Sequence, residues 1–190
     1  MPGQVGAIAN EQEGLLAYLA QMRYVIKLTA YGLSPEQLRA TPTASPLTVG
    51  GLIKHCASTE EGWVDVVRRE PRELDYTAYE ENFALRDGET IDEVFARYDR
   101  IAARTEKTIA EIGDLDQAVP VDHSVPWNPQ DVDNWSVRWV LLHLIQETAR
   151  HAGHADIIRE SVDGGTAYPI MAAAEGWPAS PWMKPWQPAS

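Results

Sequence analysis

Four stretches of the sequence repeat apolar residues at spacings of three and four, the pattern of a helix that buries one face. We expect them to form helices of roughly 20 residues each, over residues 11–31, 47–69, 91–112 and 136–163. Thr90 followed by Glu93 is a start signal for the third helix. The connections over 71–89 and 114–133 show no strand alternation. Four such helices predict an all-α fold, a four-helix bundle.

The C-terminal segment differs in composition from the rest of the chain. After Gly165 it contains Trp177, Trp182 and Trp186 together with five prolines. Because three tryptophans left in water are costly, we expect an extension over 166–190 that packs on a bundle over 1–165. The tryptophans could line a substrate cleft, cover the sides of the bundle or meet a dimer partner, and structural packing is the favoured interpretation.

Charge and composition exclude several classes of function. The chain carries 16 Lys and Arg against 28 Asp and Glu, a net charge of -12, and no concentrated basic patch, so we expect no nucleic-acid partner. Its apolar runs are shorter than the roughly 20 residues that cross a bilayer. The N-terminus does not resemble a secretory signal, and one cysteine cannot form an intramolecular disulfide. These features predict a soluble, cytoplasmic protein.

The stretch HLIQETARHAGHAD, residues 143–156, contains three of the five histidines. At about 100° per residue, His143, Glu147, His151 and His154 fall within about 80° of the helix circumference and share one face. Glu147 and His151, four residues apart, could chelate one metal ion from a single helical turn. They could equally form an ordinary helix pair without an ion.

A metal site in a bundle also needs a ligand from a facing helix. His55 lies in the second predicted helix, and His123 lies in a proline-rich connection. With Glu147 and His151, His55 would complete three protein ligands and leave a fourth position for water or a substrate atom, as in catalytic zinc sites. The alternative is that these side chains are packed or surface groups.

Five other residues are interpreted as structural. Cys56, next to His55, points about 100° away from it on a helix and is expected in the core. Gly50 and Gly51 weaken the start of the second helix and indicate close packing there. Asp156 and Arg159 are expected to form local pairs on the exposed side of the fourth helix.

His55, with Glu147-x-x-x-His151 ahead of Gly153 and His154, resembles the DinB-like (YfiT-like) superfamily of four-helix bundles. That superfamily carries one His on the second helix and HxxxH before a Gly on the fourth. Glu in place of the first His is similar to the mycothiol-dependent maleylpyruvate isomerase branch. The segments WSVRWVLLHLIQETARHAGHADIIRE and MAAAEGWPASPWMKPW look like actinobacterial members grouped under the DUF664 label.

The resemblance implies a bundle with up-down-down-up order and a divalent metal ion held by His55, Glu147 and His151. Zinc is the first expectation, with nickel, iron or manganese as alternatives. His154 is expected to be a catalytic acid or base, a support for His151, or a hydrogen-bonded bystander. His143 is left outside the ligand set.

The implied activity is that of a metal-dependent thiol S-transferase or thiol-dependent isomerase. It would use a low-molecular-weight thiol, mycothiol first, and an electrophilic substrate, with the protein a monomer or a homodimer. The alternatives are a metal-dependent hydrolase that uses metal-activated water, and a non-catalytic metal-binding stress protein.

Overall fold

A computed structural model describes residues 3–71 and 81–188, which form four long helices and four short elements. In chain order these are α1 (Glu11–Leu28), α2 (Pro35–Leu38), α3 (Val49–Arg68), α4 (Ile91–Ile112), β1 (Ala118–Pro120), β2 (Asn134–Ser136), α5 (Val137–Asp163) and α6 (Ala167–Ala174). The long helices α1, α3, α4 and α5 are the four that the apolar spacing predicted. Within the described ranges, no helix combines the length and hydropathy needed to span a membrane.

Helices α1 and α5 run parallel to each other, as polar contacts at both ends show. Near their beginnings, Arg138 Nε donates to Glu11 Oε1 at 2.7 Å. Near their ends, Arg159 Nη1 donates to the carbonyl oxygens of Thr29 and Tyr31 at 2.7 and 2.8 Å. The two helices therefore point the same way along most of their length.

Helix α4 runs antiparallel to α1 and parallel to α3. Lys27, late in α1, pairs with Asp99, early in α4, whereas Arg23, a turn earlier, pairs with Glu106. Towards α3, Arg97 Nη1 donates to Ser58 at 3.0 Å, and further along both helices Arg68 Nη1 donates to Glu111 at 3.4 Å. Contacts between α3 and α5, described with the site, make these two helices antiparallel. The four helices therefore run up, down, down and up, and the predicted four-helix bundle is confirmed.

The helix ends follow the local sequence. Thr90 and Glu93 form the predicted capping box at the start of α4. Ser136 caps α5 by accepting a hydrogen bond from the Trp139 amide at 3.1 Å. Gly164 ends α5 in a left-handed conformation, with φ of 74°, that glycine adopts without steric cost.

Three short elements, β1, β2 and α2, lie in connections for which the sequence predicted no regular structure. Strands β1 and β2 pair antiparallel, with Val119 opposite Trp135. Three residues per strand are too few to show alternation in a sequence. Helix α2 is a single turn that begins with a capping box of Ser34 and Gln37. It lies just after Gly32, in a stretch whose glycine and proline predict the end of a helix and not the start of one. Helix α1 also ends at Leu28, earlier than the predicted residue 31.

The prediction that Arg159 pairs on the exposed side of α5 is wrong. Its side chain is 0% exposed and lies between α1 and α5, with the Trp186 ring 4.7 Å from the guanidinium carbon. It donates to Asp163 Oδ1 at 2.9 Å in addition to the two α1 carbonyls. A guanidinium has five N–H donors, so it can be buried where carbonyls, a carboxylate and an aromatic face surround it.

The C-terminal segment contacts the side of the bundle formed by α1. Trp177 and Trp186 pack against Leu28, Ile170 and Met171. Trp182, by contrast, is 81% exposed. The division into a bundle over 1–165 and an extension over 166–190 stays a prediction.

A buried ion pair joins three helices in the centre of the bundle. Arg23 on α1 donates to both carboxylate oxygens of Glu60 on α3, at 2.9 and 2.6 Å. Glu60 also accepts a short hydrogen bond from Thr105 on α4. Because Arg23 and Glu60 are 5% and 1% exposed, neither charge has water as an alternative partner.

We predict that Glu60→Ala lowers the free energy of unfolding by about 3 kcal/mol, because Arg23 would keep its buried charge with only the half-exposed Glu106 as a carboxylate partner. Urea unfolding followed by circular dichroism measures the change. Glu111→Ala is the matched control, since Glu111 is 52% exposed and pairs only at the surface with Lys107 and Arg68. It should cost less than about 1 kcal/mol. Equal losses in the two variants would contradict the role of the buried pair.

Candidate metal centre

The site lies along the line of contact between α3 and α5. Each helix contributes side chains four residues apart: His55, Thr59 and Trp63 from α3, and Trp139, His143, Glu147 and His151 from α5. At one end the rings of His55 and His151 are 4.8 Å apart between centroids. At the other end Trp63 and Trp139 are 5.3 Å apart. Chain numbers rise on α3 where they fall on α5, so the two helices are antiparallel.

The three residues predicted as metal ligands meet in space. Glu147 Oε1 lies 3.5 Å from His55 Nε2 and 3.1 Å from His151 Nε2. One ligand atom from each residue lies within 4.8 Å of the other two. Their side chains are 5%, 25% and 12% exposed for His55, Glu147 and His151. The group could hold a metal ion.

Two of the three separations between donor atoms are close to those of a tetrahedral metal site, and all three are within 4.8 Å. Tetrahedral zinc with bonds of about 2.1 Å places its ligand atoms about 3.4 Å apart. The two separations from Glu147 Oε1, 3.5 and 3.1 Å, lie on either side of that value. Two imidazoles and one carboxylate also suit nickel, iron and manganese, so the ligand types do not select one metal.

Glu147 is the charged member of the group. Hydrogen bonds to His151 and to His55 hold the pKa of its carboxyl well below the usual range, against a smaller opposing effect of burial. The carboxylate is therefore an anion at neutral pH, as a metal ligand must be.

His154 lies beside the group on its solvent side and is not one of the three converging side chains. Its Nδ1 is 3.4 Å from Nδ1 of His151, and the two rings are 5.4 Å apart. His151 thus turns Nε2 towards Glu147 and Nδ1 towards His154. A partner on the second ring nitrogen is the usual way in which a protein orients a metal-binding imidazole.

Phe83, which the sequence did not indicate, covers His55. The two rings stack at 3.9 Å between centroids with an interplanar angle of 19°. Phe83 lies in the predicted connection 71–89, which has no periodicity from which its position could be read. The connection is anchored where Lys54 donates to both carboxylate oxygens of Glu89, at 2.9 and 2.7 Å.

Gly50 and Gly51 make this close approach possible. A Cβ atom on Gly51 would lie 1.8 Å from the Phe83 carbonyl oxygen, and one on Gly50 would lie 2.3 Å from the Leu85 side chain. Both distances are far below van der Waals contact. The close packing that the glycine pair predicted is confirmed, and its role is to let Phe83 reach His55.

The two remaining histidines lie outside the ligand group. His143 is half-buried between Trp139, stacked at 5.0 Å, and Trp63, edge-on at 5.0 Å, and burial lowers its pKa. His123 is exposed between β1 and β2, with Nε2 3.0 Å from the carbonyl oxygen of Val132.

Cys56 is confirmed as a core residue at 2% exposure. Burial is the main cause that raises the pKa of its thiol, and the carboxylates of Glu147 and Glu60 add to the effect.

We predict that Gly51→Ala displaces Phe83 and destabilises the protein by about 1–3 kcal/mol, because the added methyl would overlap a backbone carbonyl. Gly153→Ala is the matched control, since a Cβ at Gly153 would meet nothing within 4 Å. That change should instead stabilise α5 by about 0.5–1 kcal/mol. Thermal and urea unfolding measure both variants. A Gly51→Ala protein as stable as the Gly153→Ala protein would contradict the contact.

Comparison of the sequence with known proteins assigns the chain to a family. A search of the curated proteins finds no match to the chain. The family model described as Mycothiol-S-transferase matches residues 14–164. The match includes His55, Glu147, His151 and His154, as well as all four long helices except the first turn of α1. The chain therefore belongs to the mycothiol-S-transferase family, as a member of the DinB-like group of bundles.

Proposed function

We propose that this protein is a metal-dependent thiol S-transferase that joins mycothiol to an electrophilic substrate. The family implies the transferase class and mycothiol as cosubstrate. The observation that carries the proposal for this chain is the convergence of His55, Glu147 and His151 within 4.8 Å of one another. Under the proposal these three residues hold a divalent ion, zinc in the first instance.

The ligand set supports a thiol as the fourth partner of the ion. A divalent ion held at three protein ligands would lower the pKa of a thiol at the fourth position and so favour the nucleophilic thiolate. Glu147 contributes one negative charge and the two imidazoles none, so the ligands leave part of the ion's charge unneutralised. The site therefore favours an anionic fourth partner.

We propose that His154 accepts the proton that the thiol releases. It is exposed, and its contact with His151 keeps it beside the ligand group. In the transfer, the sulfur uses an electron pair to form the new S–C bond, and the leaving group departs with the pair of the broken bond. The proton released from the thiol passes to the His154 ring and then to water.

The chain's own thiol is removed from this chemistry. Cys56 is buried beside the site, and its raised pKa keeps it protonated at neutral pH. A transferase that binds a small thiol benefits from this arrangement because no protein thiolate competes for the ion or for the electrophile.

The first test combines metal analysis with a conjugation assay. We expect stoichiometric metal in the purified protein and in His123→Ala, and less than about a tenth of it in His55→Ala and His151→Ala. Conjugation of mycothiol should fall more than about 100-fold in both ligand variants, since even outer partners of ligands cost 10–100-fold. Equally little metal in wild type and His55→Ala would contradict the ligand assignment. Turnover of an ester without any thiol would favour the hydrolase alternative.

The second test isolates His154. Assayed with saturating metal, which offsets the loss of the partner of His151, His154→Ala should lose about 100-fold in kcat for conjugation, the lower range for an acid–base group. His154→Gln keeps a polar side chain without a group that titrates near neutral pH, and it should show the same loss. Full activity in both variants would make His154 a bystander.

A further inference from the structure

The contact between α3 and α5 continues from the ligand group into a stack of aromatic rings. Trp135 and Trp139 stack at 4.6 Å with an interplanar angle of 13°, and Trp139 and His143 stack at 5.0 Å and 11°. Trp63 from α3 lies edge-on or tilted against all three, at 5.1, 5.3 and 5.0 Å. We call these four residues the aromatic row.

The aromatic row and the metal ligands are parts of one line of side chains. Trp139, His143, Glu147 and His151 follow one another at intervals of four residues on α5, about 6 Å of helix rise per step. His143 therefore lies one turn from Glu147, and Trp139 lies two turns away. On α3, Thr59 separates His55 from Trp63 and offers only a short side chain between them.

A molecule at the ligand group has a preferred direction in which to extend. At the His55 end, Phe83 stacks on the imidazole and its carbonyl group lies over Gly51. In the other direction, among the residues that the structure describes, Glu147, Thr59 and Trp139 all keep some exposure, and that of Trp139 is 37%. The line of contact is thus covered at one end and accessible towards the aromatic row.

We propose that the aromatic row binds the electrophilic substrate through a planar, conjugated ring, with the reactive carbon held towards His55, Glu147 and His151. This inference rests on the proposed transferase function and adds the class of acceptor to it. Indole and imidazole rings favour offset stacking and edge contacts with flat rings. An electron-poor conjugated ring also activates one of its own carbons, or a carbon attached to it, towards a thiolate. The spacing requires the ring to lie within about one to two helical turns of the ligands.

The kinetic test compares an electrophile that has a ring with one that has none. We expect Trp139→Leu to raise KM for 1-chloro-2,4-dinitrobenzene about tenfold, the upper range for one aromatic contact. Its kcat/KM with iodoacetamide and its KM for mycothiol should stay within about twofold of wild type. Trp139→Phe, which keeps an aromatic face, should recover most of the loss. Trp182→Leu is the matched control, because Trp182 is 81% exposed on the C-terminal segment.

Three results would overturn the inference. An equal loss with both electrophiles would make Trp139 a structural residue. A raised KM for mycothiol would assign the aromatic row to the thiol. Unchanged constants would remove it from substrate binding. His143→Leu, which takes away the inner ring of the stack, carries the same expectations and keeps the test decisive if Trp139→Leu does not fold.

A binding measurement separates failure of this inference from failure of the proposed function. The probe is 4-nitroacetanilide, a planar ring without a useful leaving group, titrated into metal-loaded protein without thiol and followed by equilibrium dialysis. We expect binding to wild type and to Trp182→Leu, and about tenfold weaker binding to Trp139→Leu. That pattern supports the ring site even if no thiol is transferred. Equal binding to all three proteins, or to none, overturns it even if thiol transfer is demonstrated.

Discussion

The buried pair of Arg23 and Glu60 is the constraint on which the rest of the bundle depends. Apolar side chains can still pack when one helix slides along another. A buried arginine that donates to both oxygens of a carboxylate keeps both hydrogen bonds only at one relative position of the two helices. Thr105 extends the pair to α4. Because Glu60 is five residues beyond His55 on α3, the same pair fixes the height of His55 relative to α1. The contacts of Arg138 and Arg159 hold α5 against α1 in turn.

A different face of α3 carries the line of contact with the candidate metal centre, and neighbouring segments define its two ends. Gly50 and Gly51 allow Phe83 to cover His55 at one end. Trp63 meets the ring stack of α5 at the other. The three candidate ligands lie between a covered end and an aromatic end, so the same helix packing that holds the bundle together also gives the candidate site its direction.

Periodicity predicted the four long helices because each buries a wide stripe, and it also placed Glu147 and His151 on one face. It could not show that His55 lies beside them, because that requires knowing that α3 is next to α5. The small number of histidines made His55 a candidate third ligand, and the resemblance to a family favoured it. Phe83 escaped prediction because its contact depends on a connection without pattern. The burial of Arg159 was not predicted because, besides the local partner Asp163, it donates to carbonyl groups of α1, which no sequence pattern indicates.

By itself, the sequence determined the helices, the bundle and the types of side chain available for a metal, because local periodicity and residue chemistry are properties of the chain. Only the tertiary structure decided which of five histidines converge on Glu147, which side of the site Phe83 covers, and that His143 belongs to an aromatic stack. These outcomes depend on the register and direction of neighbouring helices. Contacts between residues far apart in the chain determine both, and no local pattern encodes them.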